Sequence, residues 1–171
     1  MEVSINNEYY IGPTTIAILP HYHHEYQTKI LDAEGTFFTT ERPLQIIERS
    51  CLKYGADYNG RRNAAVYHTN YKQKTPLLLS GAQRLVLIPT HSPEHMHCMW
   101  IMFHQIASVE STGEDTSDVM CNHFVDLQLN ISSQTMRTQI QKAAVIYSIF
   151  CTDQKVGFSF MVNGRRPVKR K

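Results

Sequence analysis

The stretch from Val119 to Asn130, VMCNHFVDLQLN, constrains the fold most. Val119, Cys121, His123, Val125, Leu127 and Leu129 fall on one face. That alternation has the period of a strand with one face buried and the other in water. Such a strand needs partners, and the chain supplies candidates. Thr14 to Leu19 is a β-rich run between Gly12-Pro13 and Pro20. Lys29 to Leu31 and Thr36 to Thr39 flank Asp32-Ala33-Glu34-Gly35, a hairpin-like connection. Pro76 to Leu79 and Arg84 to Pro89 read as a second hairpin around Ser80-Gly81. Val66 to Tyr71 alternates as a strand, with Tyr67, Thr69 and Tyr71 on one face. Cys98 to Val109 reads as a longer strand, joined to the opening stretch by the polar, acidic loop Ser111 to Asp118.

Two segments carry helical periodicity instead. Pro43 suits a first helical turn, where its missing N–H costs little. Thr40 is the expected N-cap and Glu41 suits the positive end of the dipole. Leu44, Ile47, Cys51 and Tyr54 form the apolar stripe, and Gly55 is the expected C′ residue. Arg49 and Lys53 share the opposite face, and a loop from Ala56 to Gly60 delivers Arg61 and Arg62. A second helix is expected from Ser133 as N-cap, with Met136, Ile140, Ala143, Tyr147 and Phe150 as its stripe. After Ala143 the pattern is apolar all round; either the helix continues, deeply buried or self-associating, or it stops near Ala144 and 145–151 is a strand. The expected fold is therefore α+β: one β-rich domain with antiparallel hairpins and about two helices, spanning residues 1–157. Residues 158–171 read as a basic, flexible tail.

Charge is segregated along the chain. Its 17 basic and 15 acidic residues nearly cancel, to +2. Yet between Arg42 and Arg84 eight Lys/Arg face only Glu48 and Asp57, and the end GRRPVKRK has five basic residues and no acid. Two positive surfaces follow, with an acidic remainder. They suit a polyanion, whose phosphates give affinity through counterion release. An acidic protein partner or an anionic membrane surface fits the same charge, and a solvated basic face is the plain reading.

Other signals exclude more than they suggest. No apolar run reaches membrane-spanning length and the N-terminus lacks a signal-peptide pattern. Cys51, Cys98, Cys121 and Cys151 are scattered through apolar segments without a CxxC, which favours reduced core thiols and a cytoplasmic protein. His21, His23 and His24 form one cluster, and His91, His95 and His97 with Cys98 another. Their spacing matches no standard zinc module and HExxH is absent, so neither a metal nor another cofactor is expected. A Gly-rich phosphate loop and GxSxG are absent too, and Cys51 sits on an apolar stripe, so an enzyme is not expected.

PLQIIERSCLKYGADYNGRR, Pro43 to Arg62, resembles the signature block of the ComK competence transcription factors: a Pro-Leu start, a helix with Arg/Ser/Cys, an aromatic-Gly step, and Tyr-x-Gly-Arg. Collinear with it, Thr15 to Pro20 is similar to the family's opening strand and Lys74-Thr75-Pro76-Leu77 to its Lys-x-Pro-Ile/Leu segment. Ile88 to Pro93 and Cys98-Met99-Trp100-Ile101 resemble its Phe-Pro-Thr-x-Ser and Cys-x-Trp-Ile stretches, and Ile131-Ser132 through Gln139 and Lys142 its Ile-Ser…Gln-x-x-Arg helix, with lysine in place of arginine. The resemblance spans about Tyr10 to Ile146. It implies a nucleoid-associated activator of DNA-uptake genes that binds AT-rich duplex DNA chiefly through the minor groove, as a homodimer or pair of dimers. It also implies RNA polymerase and an adaptor to a Clp-type protease as partners. On that reading Arg61 and Arg62 probe the groove, which distinguishes mainly A·T from G·C. Arg49, Lys53, Lys72, Lys74, Arg137 and Lys142 are the candidates for phosphate contact, and Arg165 and Arg166 join them from the tail. GRRPVKRK departs from the family pattern, and Phe158-Ser159-Phe160-Met161 is only vaguely similar to its adaptor-binding segment. The alternative is an interaction module for an acidic protein partner without DNA binding; a third reading is a histidine-metal nuclease.

Overall fold

The computed structural model describes residues 4–153 of the 171. The tail, with Arg165 and Arg166, lies outside the described residues. At the centre is a seven-stranded sheet in the order β1 (Ser4–Ile5), β4 (Gly35–Thr39), β3 (Thr28–Asp32), β2 (Thr15–Pro20), β7 (Trp100–Met102), β6 (Leu85–Pro89), β5 (Leu77–Ser80). Neighbours are antiparallel except β1 beside β4. A second sheet is the meander β8 (Ile106–Ser111), β9 (Ser117–Cys121), β10 (Val125–Leu129). Among the described residues three α-helices accompany the sheets: α1 (Pro43–Lys53), α2 (Tyr58–Thr69) and α3 (Ser133–Asp153).

The large sheet is buried on both faces. Ile18, Ile30, Leu85, Leu87 and Trp100 pack with Ile46, Ile47 and Cys51 of α1. Val86, Ile88 and Ile101 face the other way, against Val119, Cys121, Leu127 and Leu129 of the second sheet and Met136 and Ala143 of α3. That is why β6, LVLIP, is an unbroken apolar run with every residue buried, whereas β9 and β10 alternate. A register shift between Thr15 and Ala17 moves Ile16 to the second core while Ile18 stays in the first. The four cysteines are buried and unpaired, as their apolar settings predict.

Several expectations need correction. The α1 N-cap is Arg42, not Thr40, because Pro43 takes the first helical position; the Gln45 side chain accepts the Arg42 N–H at 2.9 Å. Gly55 does follow the helix with φ +90°, a conformation that favours glycine. Most of the expected loop 56–60 and strand 66–71 is in fact α2, so the described residues form three α-helices instead of about two. Asp57 caps it, its Oδ1 accepting the Gly60 N–H at 2.7 Å, and a Cβ on Gly60 would meet that oxygen at 2.7 Å. The α3 cap is Ser132 rather than Ser133, its Oγ accepting the Thr135 N–H at 3.1 Å. That helix runs on to Asp153, which removes the strand alternative at 145–151.

The two long strands are each broken by a 3-10 turn, at Phe103–Gln105 and at Asn122–Phe124. Cys121 pairs with Val125 and Val119 with Leu127. Cross-strand partners share a face. A three-residue turn therefore preserves the parity of the pattern, and a hairpin imitates one straight strand. His123 sits in the turn with φ +61° instead of on the buried face.

Candidate nucleic-acid interface

Capping places Arg61 and Arg62 in the first turns of α2, on a helix rather than a loop. The Arg61 guanidinium is half-buried. It donates to the carbonyls of Cys51 (3.3 Å) and Tyr54 (2.6 Å) at the end of α1, of Ala56 (3.2 Å), and of Leu78 in β5 (3.0 Å). Carbonyls at a helix end lack intrahelical donors, and a guanidinium fork suits them; that of Cys51 also accepts the Tyr54 N–H at 3.0 Å. Arg61 thus ties α1, α2 and the sheet together.

Arg62 points elsewhere. One amino group donates to the Lys72 carbonyl at 2.7 Å. It joins a surface built by the segment 70–76, which leaves α2 through Asn70 at φ +60° and turns again at Lys74, φ +47°. The buried Gln139 side chain of α3 donates to the carbonyls of Lys74 (2.8 Å) and Pro89 (2.9 Å), fixing the segment against β6. Lys142, one turn along α3, donates to the Gln73 carbonyl at 3.3 Å and lies 5.5 Å from the Tyr71 ring centre. Burial and the charge of Lys74 push the Lys142 pKa down, and His91 is lowered by burial, by His95 and by Lys74. Arg62 of α2, Lys72 and Lys74 of the segment 70–76 and Lys142 of α3 therefore gather on one surface. Among the described residues the ion pairs are Arg49–Glu41 and His24–Glu25, so none of these four cations has a carboxylate partner. The exposed Tyr67 packs edge-on to His68, which contacts Phe150 of α3 in the same way.

The remaining candidates lie apart from this cluster. Arg49 is half-buried, pairs with Glu41 and donates to the Tyr9 carbonyl at 2.8 Å. Lys53 is exposed, 5.1 Å from the Tyr10 ring centre. Arg137 donates to the Val109 carbonyl at 2.8 Å on the α3–β8 side. Phe124 was not singled out by sequence: it is 99% exposed at φ +58° in the β9–β10 turn. Its signal was the bulky outward residue beside His123, hidden by the unbroken parity.

Three of the thiols are poor nucleophiles. Burial raises Cys51, Cys98 and Cys121 to about 11, which keeps them protonated near neutrality. No helix among the described residues is long and apolar enough to cross a membrane.

The profile of the family described as ComK protein matches residues 6–155. The competence transcription factor of Bacillus subtilis (strain 168) is 27% identical over 143 residues, covering 83% of this chain and 74% of that protein. No solved structure matches.

Proposed function

The chain belongs to the ComK family of competence transcription regulators, and we propose that it activates DNA-uptake genes by binding AT-rich duplex DNA chiefly through the minor groove. The observation that carries this reading is the gathering of Arg62, Lys72, Lys74 and Lys142 without a carboxylate partner among the described residues. Burial lowers Lys142 first and the neighbouring Lys74 lowers it further; cations this close gain from an anion between them, and a phosphate backbone supplies a row of anions.

In this proposal the lysines hold phosphates and set register, and Arg62 enters the groove. Arg61 positions α2 through its four carbonyls and does not reach the bases. Lys53 and Arg137 are flanking contacts, Arg49 supports α1 through Glu41, and Arg165 and Arg166 add sequence-independent charge. The protein acts in the cytoplasm on the nucleoid, as a homodimer or pair of dimers that recruits RNA polymerase, and an adaptor delivers it to a Clp-type protease. A family of transcription factors is not a class of enzymes.

Gel shifts with three duplexes test the groove assignment. Replacing A·T by inosine·cytosine keeps the minor-groove pattern and changes the major-groove edges. Binding survives that replacement, weakens on G·C duplex and is displaced by distamycin. Loss of binding on the inosine duplex identifies a major-groove reader. No binding to any duplex favours the acidic-partner alternative.

A further inference from the structure

Six of the nine histidines lie on two neighbouring loops that the DNA reading does not use: His21, His23 and His24 after β2, and His91, His95 and His97 before β7. Tyr22 joins the loops, donating to the Met96 carbonyl and meeting the His97 ring edge-on at 5.8 Å. Within the first loop, one ligand atom from each of His23, His24 and Glu25 lies within 4.8 Å of the others. His24 Nε2 is 3.7 Å from Glu25 Oε1, and the two imidazole centres are 4.3 Å apart. Bonds of about 2.0–2.2 Å to a tetrahedral ion place ligand atoms roughly 3.3 Å from one another. The necessary contraction is of the order of an ångström, which rotamer changes of three exposed side chains provide.

The loop is partly prepared for this. Its ends are closed by the His21 N–H on the Gln27 carbonyl at 2.8 Å and the Gln27 N–H on the Thr39 carbonyl at 2.9 Å. His23 is held in a row of rings, stacked on Tyr26 at 5.8 Å and on His21 at 5.9 Å, with His21 edge-on to Phe38 at 5.1 Å. Two imidazoles and a carboxylate are a borderline donor set that selects zinc, cobalt, nickel or copper over calcium or magnesium. We propose that His23, His24 and Glu25 bind one divalent transition-metal ion. Its other coordination positions stay open to water, because all three ligands lie at the surface. Through Tyr22 the ion stiffens the contact between the two histidine loops.

Titration calorimetry of the untagged full-length chain with zinc or nickel, in a buffer that does not chelate, tests the site. One ion binds per chain near neutral pH. The triple variant His23→Ala, His24→Ala, Glu25→Gln weakens binding by about tenfold or more. Cobalt gives a visible absorption band that the same variant loses. A second triple variant, His91→Ala, His95→Ala, His97→Ala, keeps the site. Circular dichroism confirms that both variants are folded. Absence of saturable binding, or an isotherm unchanged by the first triple variant, overturns the proposal. Loss of the site in the second triple alone does so too, since it places the ion on the other loop.

Discussion

Replacing Arg61 separates a structural clamp from a groove probe. In Arg61→Ala four carbonyls lose a charged donor: Tyr54 at 2.6 Å, Leu78 at 3.0 Å, Ala56 at 3.2 Å and Cys51 at 3.3 Å. A hydrogen bond to a charged group contributes about 1.5–3 kcal/mol. The two shortest dominate, for an upper value of about 6 kcal/mol. Water reaches some of the freed carbonyls at the α1 end and returns part of this, leaving a net loss of about 3 kcal/mol. With a urea dependence of about 2 kcal/mol per molar, the unfolding midpoint falls by about 1.5 M. Arg61→Lys keeps a cation at the helix end, worth about 0.5–1 kcal/mol, but loses the fork. Its midpoint falls by about 1 M. Urea unfolding followed by circular dichroism measures both, and gel shifts below the transition show the preference for AT-rich duplex retained. A midpoint for Arg61→Ala within about 0.3 M of the parent, together with loss of that preference, refutes the clamp and returns Arg61 to the groove.

Other outcomes follow from the same geometry. Changing Lys72, Lys74 or Lys142 to Gln lowers the salt slope of DNA binding by about 1 each and leaves the AT preference alone. Arg62→Ala reduces that preference by about 1–3 kcal/mol, both read from gel shifts over a salt series. Removing residues 164–171 weakens binding to all sequences and flattens the salt slope, because the segment contributes charge. The His91 pKa lies below its ordinary value through burial and the nearby His95, Lys74 and His97. The unfolded chain therefore takes up that proton first. The stability contribution is present above about pH 6.5, is lost as pH falls through the unfolded value, and levels off below the folded one. His91→Gln flattens the acid limb of the urea midpoint between about pH 7 and 5, and an unchanged limb rules the effect out.

The strands were legible in the sequence where burial is regular. β6 shows both buried faces as a continuous apolar run, and the pair β3–β4 shows its turn as Asp32 to Gly35. α2 was not legible because little of its stability is written in periodicity. Ala65 is its one buried residue, and Val66 to Tyr71 alternates by accident of composition. What holds it is the Asp57 cap and the reach of Arg61 to carbonyls of other elements. The cationic cluster was legible only as a charge excess between residues 42 and 84. Which of those charges meet was decided by Gln139 and the fold of segment 70–76, and this brought in Lys142 and turned Arg61 inward.

The large sheet also has a temporal consequence. It consists of two halves, the meander β2–β3–β4 with β1 parallel beside β4 and the meander β5–β6–β7, that meet only where β2 lies against β7 through Ala17–Ile101 and Ile18–Trp100. All other pairings in the sheet are local to one half. Closing the long intervening chain carries an entropic cost that must be met before this pairing contributes. The β2–β7 junction therefore assembles last, and until it does each half presents a bare apolar edge to other copies. The aggregation hazard of this chain is thus a matter of how long the junction stays open, more than of the finished surface. Trp100 is the only tryptophan in the sequence and is buried at that junction, so its fluorescence reports the closure directly.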